Sequence, residues 1–64
     1  MTLRQATRGL ERLGFRVTAT TSFPDGVSFD ASNGRRLARG EKHPTADDAM
    51  ASTLRAAVLI RLGN

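Results

Sequence analysis

Few side chains in this sequence are of the kinds that catalyse reactions. The chain has no cysteine and one histidine, His43, so it lacks the ligands of a thiolate or histidine-cluster metal site. Asp47 and Asp48 are the only adjacent carboxylates, and consecutive positions on a helix do not face each other. Catalysis by a nucleophile or a base also needs an orienting partner, and the sequence supplies none. We therefore predict a protein that is not an enzyme and holds no metal or cofactor.

Arginine is the residue that recurs with a pattern. Lysine and arginine number 10 against 6 aspartates and glutamates, a net charge of +4, and the excess lies within residues 1–44. The candidate partner-binding residues form two clusters: Arg4, Arg8 and Arg12, spaced every four residues, and Arg35, Arg36 and Arg39. Such clusters suit phosphate groups, an acidic protein surface or plain solvent, and the sequence leaves all three open.

The length limits the architecture that can position these residues. A chain of 64 residues forms one domain at most, here residues 1–64, and its small core makes its stability marginal. No apolar run approaches the ~20 residues of a membrane span, and no signal-peptide core follows Met1. We therefore expect a soluble cytosolic protein with no membrane partner, either a monomer or a homodimer.

Both ends of the chain are predicted to be helical. Thr2 and Gln5 have the spacing of a capping box, which starts a helix over residues 3–13, and Gly14 supplies its left-handed stop. Gly9 inside this helix indicates a close approach to the backbone of another element. Thr45 begins a second helix over residues 46–62, which Gly63 ends.

The second helix has a broad apolar face that is predicted to be buried. It consists of Ala46, Ala49, Met50, Thr53, Leu54, Ala57, Val58 and Ile60. Leu59 and Leu62 lie outside this face, and we take them as a candidate dimer or docking patch.

Between the helices the sequence alternates with the period of β-strands. Residues 15–23 place Phe15, Val17, Ala19, Thr21 and Phe23 on one face, and that face is predicted to point inward. Two three-residue loops, with Gly26 and Gly34 left-handed, would then set Phe23 opposite Val27 and Phe29 opposite Leu37. The third strand is predicted over residues 35–40.

The predicted fold is α+β, in the order α-β-β-β-α, with a three-stranded antiparallel sheet and two helices packed on one face. The other face is expected to be open, and its predicted members are Arg16, Thr18, Thr20, Ser22, Ser28, Asp30, Arg36 and, less clearly placed, Ala38. Because this set contains no aromatic residue, stacking of nucleic-acid bases on the sheet is not predicted.

The residues of the second helix carry a family resemblance. The segments Thr45-Ala46-Asp47-Asp48-Ala49 and Leu54-Arg55-Ala56-Ala57, at the end of this element order, resemble the small phage and prophage proteins called ABA-sandwich proteins. That resemblance implies a phage-encoded accessory protein. The order is also that of the double-stranded-RNA-binding domain, although Pro24-Asp25 and Asp47-Asp48 stand where that family has a histidine and lysines.

A weaker resemblance is to the HicA-type RNA-cleaving toxins. It is carried by Arg12-Leu13-Gly14-Phe15, Gly34-Arg35-Arg36, His43-Pro44, Leu54-Arg55-Ala56-Ala57 and Leu62-Gly63. The histidine that these toxins use for catalysis, in the first hairpin region, has no counterpart here. The resemblance implies an RNA-targeting module without the nuclease activity.

The sequence thus predicts a non-enzymatic accessory protein of phage type, acting in the cytosol of a bacterial host. It would bind and modulate a host protein or nucleoprotein machine, for example as an inhibitor of a defence complex. The alternative is an RNA-binding or HicA-like RNA-targeting module, so nucleic acid stays open as a partner.

Overall fold

The order of elements agrees with the prediction. A computed structural model describes residues 1–63, and its elements are α1 Leu3–Arg12, β1 Arg16–Phe23, β2 Gly26–Ser32, β3 Leu37–Arg39 and α2 Ala46–Leu62. The strands form one antiparallel sheet in the order β1-β2-β3, and both helices pack on the same side of it. The predicted α+β fold, α-β-β-β-α, is therefore confirmed.

Local hydrogen bonds define the ends of α1. The Thr2 hydroxyl accepts from the backbone N–H of Gln5 at 3.1 Å, and the Gln5 side chain accepts from the Thr2 N–H at 2.9 Å, which completes the predicted capping box. At the other end Gly14 has a φ of 84°, and the Phe15 N–H donates to the Leu10 carbonyl at 2.9 Å. This is the predicted left-handed stop of a Schellman motif.

The core is thin and made largely of alanine. Its buried apolar residues are Ala6, Leu10, Phe15, Ala31, Ala38, Ala49, Met50 and Ala57. The fully buried Thr53 hydroxyl lies 2.7 Å from the Phe29 carbonyl, to which it donates, so α2 is hydrogen-bonded directly to β2. A Cβ added at Gly40 would overlap that hydroxyl. The helix and the sheet are therefore in close contact along Thr53 and Gly40.

The predicted apolar face of α2 is buried over most of its length. Val58 is the exception, because 38% of its surface is exposed where the helix passes the end of α1. The predicted bounds of α2, its Thr45 cap and its end at Gly63 are confirmed.

The two helices lie side by side and run in the same direction. Near their N-termini the Leu3 N–H donates to Asp47 Oδ1 at 2.8 Å, and two turns further along Gly9 meets Leu54. A Cβ at Gly9 would lie 2.9 Å from Leu54 Cδ2. Gly9 is thus a close-approach point, as predicted, but it receives a side chain of α2 and not the backbone.

A β-bulge at Thr18 changes the side-chain phase of β1. Val17 pairs with Ala31, but the next pair is Ala19 with Asp30, so Thr18 is the extra residue. From there on, residues that would have faced the helices face away from them. Phe23 consequently pairs with Gly26, and the predicted pair of Phe23 with Val27 is wrong.

The first hairpin loop is one residue shorter than predicted. Because Phe23 pairs with Gly26, the loop consists of Pro24 and Asp25, and Gly26 does not have a positive φ. Its missing side chain serves another purpose, since a Cβ there would lie 2.5 Å from the carbonyl oxygen of His43. The prediction of a left-handed Gly26 is therefore wrong, and the close approach of the His43 backbone explains the glycine.

The second hairpin has a longer connection than predicted. Asn33 Oδ1 accepts from the backbone N–H groups of Arg35 at 2.9 Å and Arg36 at 2.7 Å, and this side-chain cap organises residues 33–36 around a left-handed Gly34, whose φ is 91°. The left-handed Gly34 is confirmed. The third strand is shorter than predicted, because residues 35 and 36 belong to the connection.

This connection sets a register between β2 and β3 that differs from the predicted one. Asp30 pairs with Arg39, Ala31 with Ala38 and Ser32 with Leu37. Leu37 therefore lies on the open face, 45% exposed, and the predicted pair of Phe29 with Leu37 is wrong. The physical reason is packing, because the small Ala31–Ala38 pair lets α2 approach the sheet closely.

The membership of the open face changes accordingly. Arg16, Ser28 and Asp30 lie on it as predicted, whereas Thr20, Ser22 and Ala38 belong to the helix side. Those three assignments are wrong because of the bulge and the longer connection. The open face gains Ala19, Thr21, Phe23 and Leu37 in their place.

Candidate partner-binding surfaces

The arginines of α1 form an exposed stripe on its outer side. Arg4, Arg8 and Arg12 are all exposed, on the side of the helix opposite the buried Ala6 and Leu10. Among residues 1–63, no carboxylate lies within ion-pair distance of any of these three guanidinium groups. Each therefore presents its hydrogen-bond donors to whatever approaches this side of the molecule.

Two members of the stripe border one groove. Arg8 and Arg12, together with Met1 and Gln5, line a shallow depression of about 520 Å³ where Gly9 carries no side chain. Arg4 lies outside the lining. The structure thus brings Arg8 and Arg12 to a single concave surface on α1, which the sequence pattern alone did not indicate.

The second predicted cluster lies on a different part of the molecule. Arg39 projects from the open face of the sheet opposite Asp30, and Arg35 and Arg36 belong to the connection held by Asn33. All three arginines are exposed. α1 packs on the other side of the sheet, so its stripe and Arg39 belong to different surfaces of the molecule.

A charged and aromatic cluster at the tip of the first hairpin was not predicted. Lys42 Nζ lies 3.0 Å from Asp25 Oδ2 and 5.3 Å from the centre of the Phe23 ring, so it forms an ion pair and a cation–π contact. The hydrogen bond and the positive charge of Lys42 lower the pKa of the Asp25 carboxyl below its ordinary value. Phe23 is 41% exposed on the open face, so the prediction of a face without an aromatic residue is wrong.

The backbone of His43 forms part of the sheet. Its N–H donates to the Val27 carbonyl at 3.1 Å and its carbonyl accepts from the Val27 N–H at 2.9 Å, which adds a bridge beyond the end of β3. The residue is half-buried just before the cap of α2. Within residues 1–63 no three His, Asp or Glu side chains are grouped so that they could hold a metal ion.

The C-terminal end of α2 presents apolar side chains. Leu59 is 64% exposed and Leu62 is 77% exposed, and the partly exposed Val58 lies one helical turn before Leu62. The two leucines are therefore accessible, as a docking patch requires.

Among known proteins, no family model, curated protein or solved structure matches this chain. None of the helices in residues 1–63 has the length and apolar character needed to cross a membrane.

Proposed function

We propose that this chain is a non-enzymatic binding module that contacts an acidic surface of a host protein or nucleoprotein machine through the arginine stripe of α1. The observation that carries the proposal is the placement of Arg8 and Arg12. Both are exposed, neither forms an ion pair with a carboxylate among the described residues, and both line one groove. A guanidinium group in this setting can bind a carboxylate through two parallel hydrogen bonds.

The spacing of the stripe supports an anionic partner energetically. Like charges four residues apart on a helix repel by ~0.2–0.5 kcal/mol per pair, and the stripe contains two such pairs. The isolated domain therefore carries a small unfavourable term in α1. Carboxylates on a partner would reverse the sign of that term, because each would lie between or beside two positive charges.

The resemblance to ABA-sandwich proteins adds the biological setting to this proposal. In that setting the chain is a phage-type accessory protein that modulates a host complex, for example as an inhibitor of defence. Its size fits such a role, since a 64-residue domain offers a surface and little interior volume for a substrate site.

A second candidate function is RNA binding on the open face of the sheet. One observation favours it, namely that Phe23 lies on that face with Lys42 beside its ring, while Arg16 and Arg39 project from the same side. An exposed aromatic ring beside a cation can stack on an unpaired base. This surface is separate from the stripe. The two candidate functions are therefore sensitive to different mutations, at Arg8 and Arg12 for the first and at Phe23 for the second.

The experiment is a pull-down from bacterial lysate with matched charge-reversal variants. Arg8→Glu/Arg12→Glu should lose the captured partner, whereas Arg55→Glu/Arg61→Glu should retain it. Each pair reverses two exposed arginines on a helix, and each includes one arginine of the last helical turn. Circular dichroism checks that both variants fold.

Treatment of the lysate with nuclease separates the two candidate functions. A protein partner stays bound after the treatment, and its binding depends on Arg8 and Arg12. An RNA partner is lost, and Phe23→Ala should weaken its binding. Capture that is unchanged in Arg8→Glu/Arg12→Glu would contradict the proposed role of the stripe.

A further inference from the structure

The arginine groove of α1 leads to the exposed apolar end of α2. Gly9 lies at the groove and meets Leu54, so the two helices are level with each other at this point. From there α1 continues for three residues, to Arg12, whereas α2 continues in the same direction for eight residues, to Leu62. At ~1.5 Å per residue, α2 therefore extends roughly 7 Å beyond the end of α1.

Two apolar side chains continue the line of the groove along α2. Val58 and Leu62 follow Leu54 at intervals of four residues, and residues four apart lie on the same side of a helix. Val58 and Leu62 are both exposed. Leu59 is exposed as well, but it comes five residues after Leu54 and so lies about 140° around the helix from it. The apolar surface next to the groove thus consists of Val58 and Leu62, without Leu59.

The charges beside this apolar surface are positive. Residues 49–64 contain no aspartate or glutamate, and Arg8 and Arg12 form no ion pair within residues 1–63. A second copy of the chain docked symmetrically on this surface would place arginine opposite arginine. A partner that offers carboxylates beside an apolar side chain complements the surface in both charge and polarity.

We propose that the partner segment is an acidic amphipathic helix, with two carboxylates on Arg8 and Arg12 and a large apolar side chain on Val58 and Leu62. This inference rests on the proposed function, because it assigns the segment that the stripe binds. Its acidic part is the complement of the two guanidinium groups, and its apolar part covers the end of α2.

The spacing along the helices is the reason for choosing a helical segment. Arg8 and Arg12 are about 6 Å apart along the axis, and the midpoint between Val58 and Leu62 lies about 10 Å beyond Arg8. A helix has the same spacings when two glutamates stand four residues apart and a leucine follows three residues after the second. These three positions also share one face of the helix, as helix-in-groove recognition requires.

A nuclear magnetic resonance titration with a synthetic peptide tests this proposal. The probe is an alanine-rich helical peptide of about 20 residues with the pattern Glu-x3-Glu-x2-Leu, and its matched control has alanine in place of that leucine. The probe should shift the amide signals of residues 8–13 and 58–62 of the isotope-labelled chain. It should bind at least about tenfold more tightly than the control, because the control has no large apolar side chain to bury.

Three leucine variants locate the apolar contact. Leu62→Ser should weaken binding of the probe at least about tenfold, because it removes the apolar surface at the end of the groove. Leu59→Ser, on the same helix but turned away from α1, and Leu37→Ser, on the open face of the sheet, should bind the probe like the native chain. Circular dichroism checks that each variant folds. Equal affinities for the two peptides, or a probe that leaves residues 58–62 unshifted at millimolar concentration, would overturn the proposal.

The lysate pull-down separates a failure of this inference from a failure of the proposed function. Capture that is lost in Arg8→Glu/Arg12→Glu but kept in Leu62→Ser would refute the apolar contact alone. Capture that is unchanged in both variants would refute the role of the stripe as well.

Discussion

Replacement of Gly40 by alanine should remove a large part of the stability of this domain. The added Cβ would overlap the hydroxyl of Thr53 and lie 2.8 Å from the carbonyl oxygen of Phe29. Neither neighbour has room to move, because Thr53 is fully buried and the Phe29 carbonyl is held by the strand. Overpacking of this kind costs about 1–3 kcal/mol in the free energy of unfolding.

A lost hydrogen bond adds to that cost. To make room, the Thr53 hydroxyl must leave the Phe29 carbonyl, to which it donates at 2.7 Å, and such a bond contributes about 1 kcal/mol. The total is about 2–4 kcal/mol. At ~0.05–0.15 kcal/mol per residue, a domain of this length has a free energy of unfolding of roughly 3–10 kcal/mol, so Gly40→Ala should remove a large part of it.

Urea denaturation followed by circular dichroism measures the effect, and Thr53→Val supplies a second point. This variant keeps the shape of the side chain and loses only its hydroxyl, while the Phe29 carbonyl still accepts from the Gly40 N–H at 3.0 Å. It should therefore cost about 1 kcal/mol. A Gly40→Ala variant as stable as the native chain would refute this account of the contact between α2 and the sheet.

Gly9→Ala is the matched control, with the same chemical change and the opposite expectation. Its Cβ would meet the end of the flexible, half-buried Leu54 side chain, which can shift. Alanine also favours the helix interior by ~1 kcal/mol relative to glycine. The variant should therefore be as stable as the native chain or more stable, and a loss comparable to that of Gly40→Ala would contradict the distinction drawn between the two sites.

Three further predictions concern the surface. Arg8→Gln/Arg12→Gln should slow association with an acidic partner and flatten its dependence on salt, measured by surface plasmon resonance over a salt series. Lys42→Gln should raise the pKa of Asp25 towards its ordinary value of 3.8, as measured by NMR titration. In the native chain the pKa of Asp25 is lowered in the folded state. The stabilisation from its ion pair with Lys42 is therefore present above pH 3.8 and is lost as the pH falls through the folded-state pKa. His43→Ala should leave partner binding within a few-fold in the same resonance assay, since the hydrogen bonds of this residue to Val27 are made by its backbone, which alanine keeps.

The sequence predicts the helices well because their ends are built from local contacts. The capping box of Thr2 and Gln5 and the Schellman stop at Gly14 each involve residues within a few positions of one another. The exposure of the α1 arginines follows from the same helical phase. These features need no knowledge of the rest of the chain.

The strand registers depend on contacts that a one-dimensional pattern does not contain. Residues 18–22 are small or weakly polar and fit either face of a sheet, so nothing in them marks the bulge at Thr18. The close packing of Ala31 against Ala38 beneath α2 decides the second register. The exposed Phe23 and its contact with Lys42 follow from the bulge, and for that reason this part of the candidate surface was missed.

The alanine-rich core has a consequence for how the protein responds to temperature. The heat-capacity change of unfolding increases with the apolar surface that becomes exposed, and alanine side chains expose little of it. This domain should therefore have a flatter curve of stability against temperature than a leucine-rich domain of equal length. Its enthalpy of unfolding should also be small, so heat should unfold it over a wide range of temperature and without a sharp calorimetric peak.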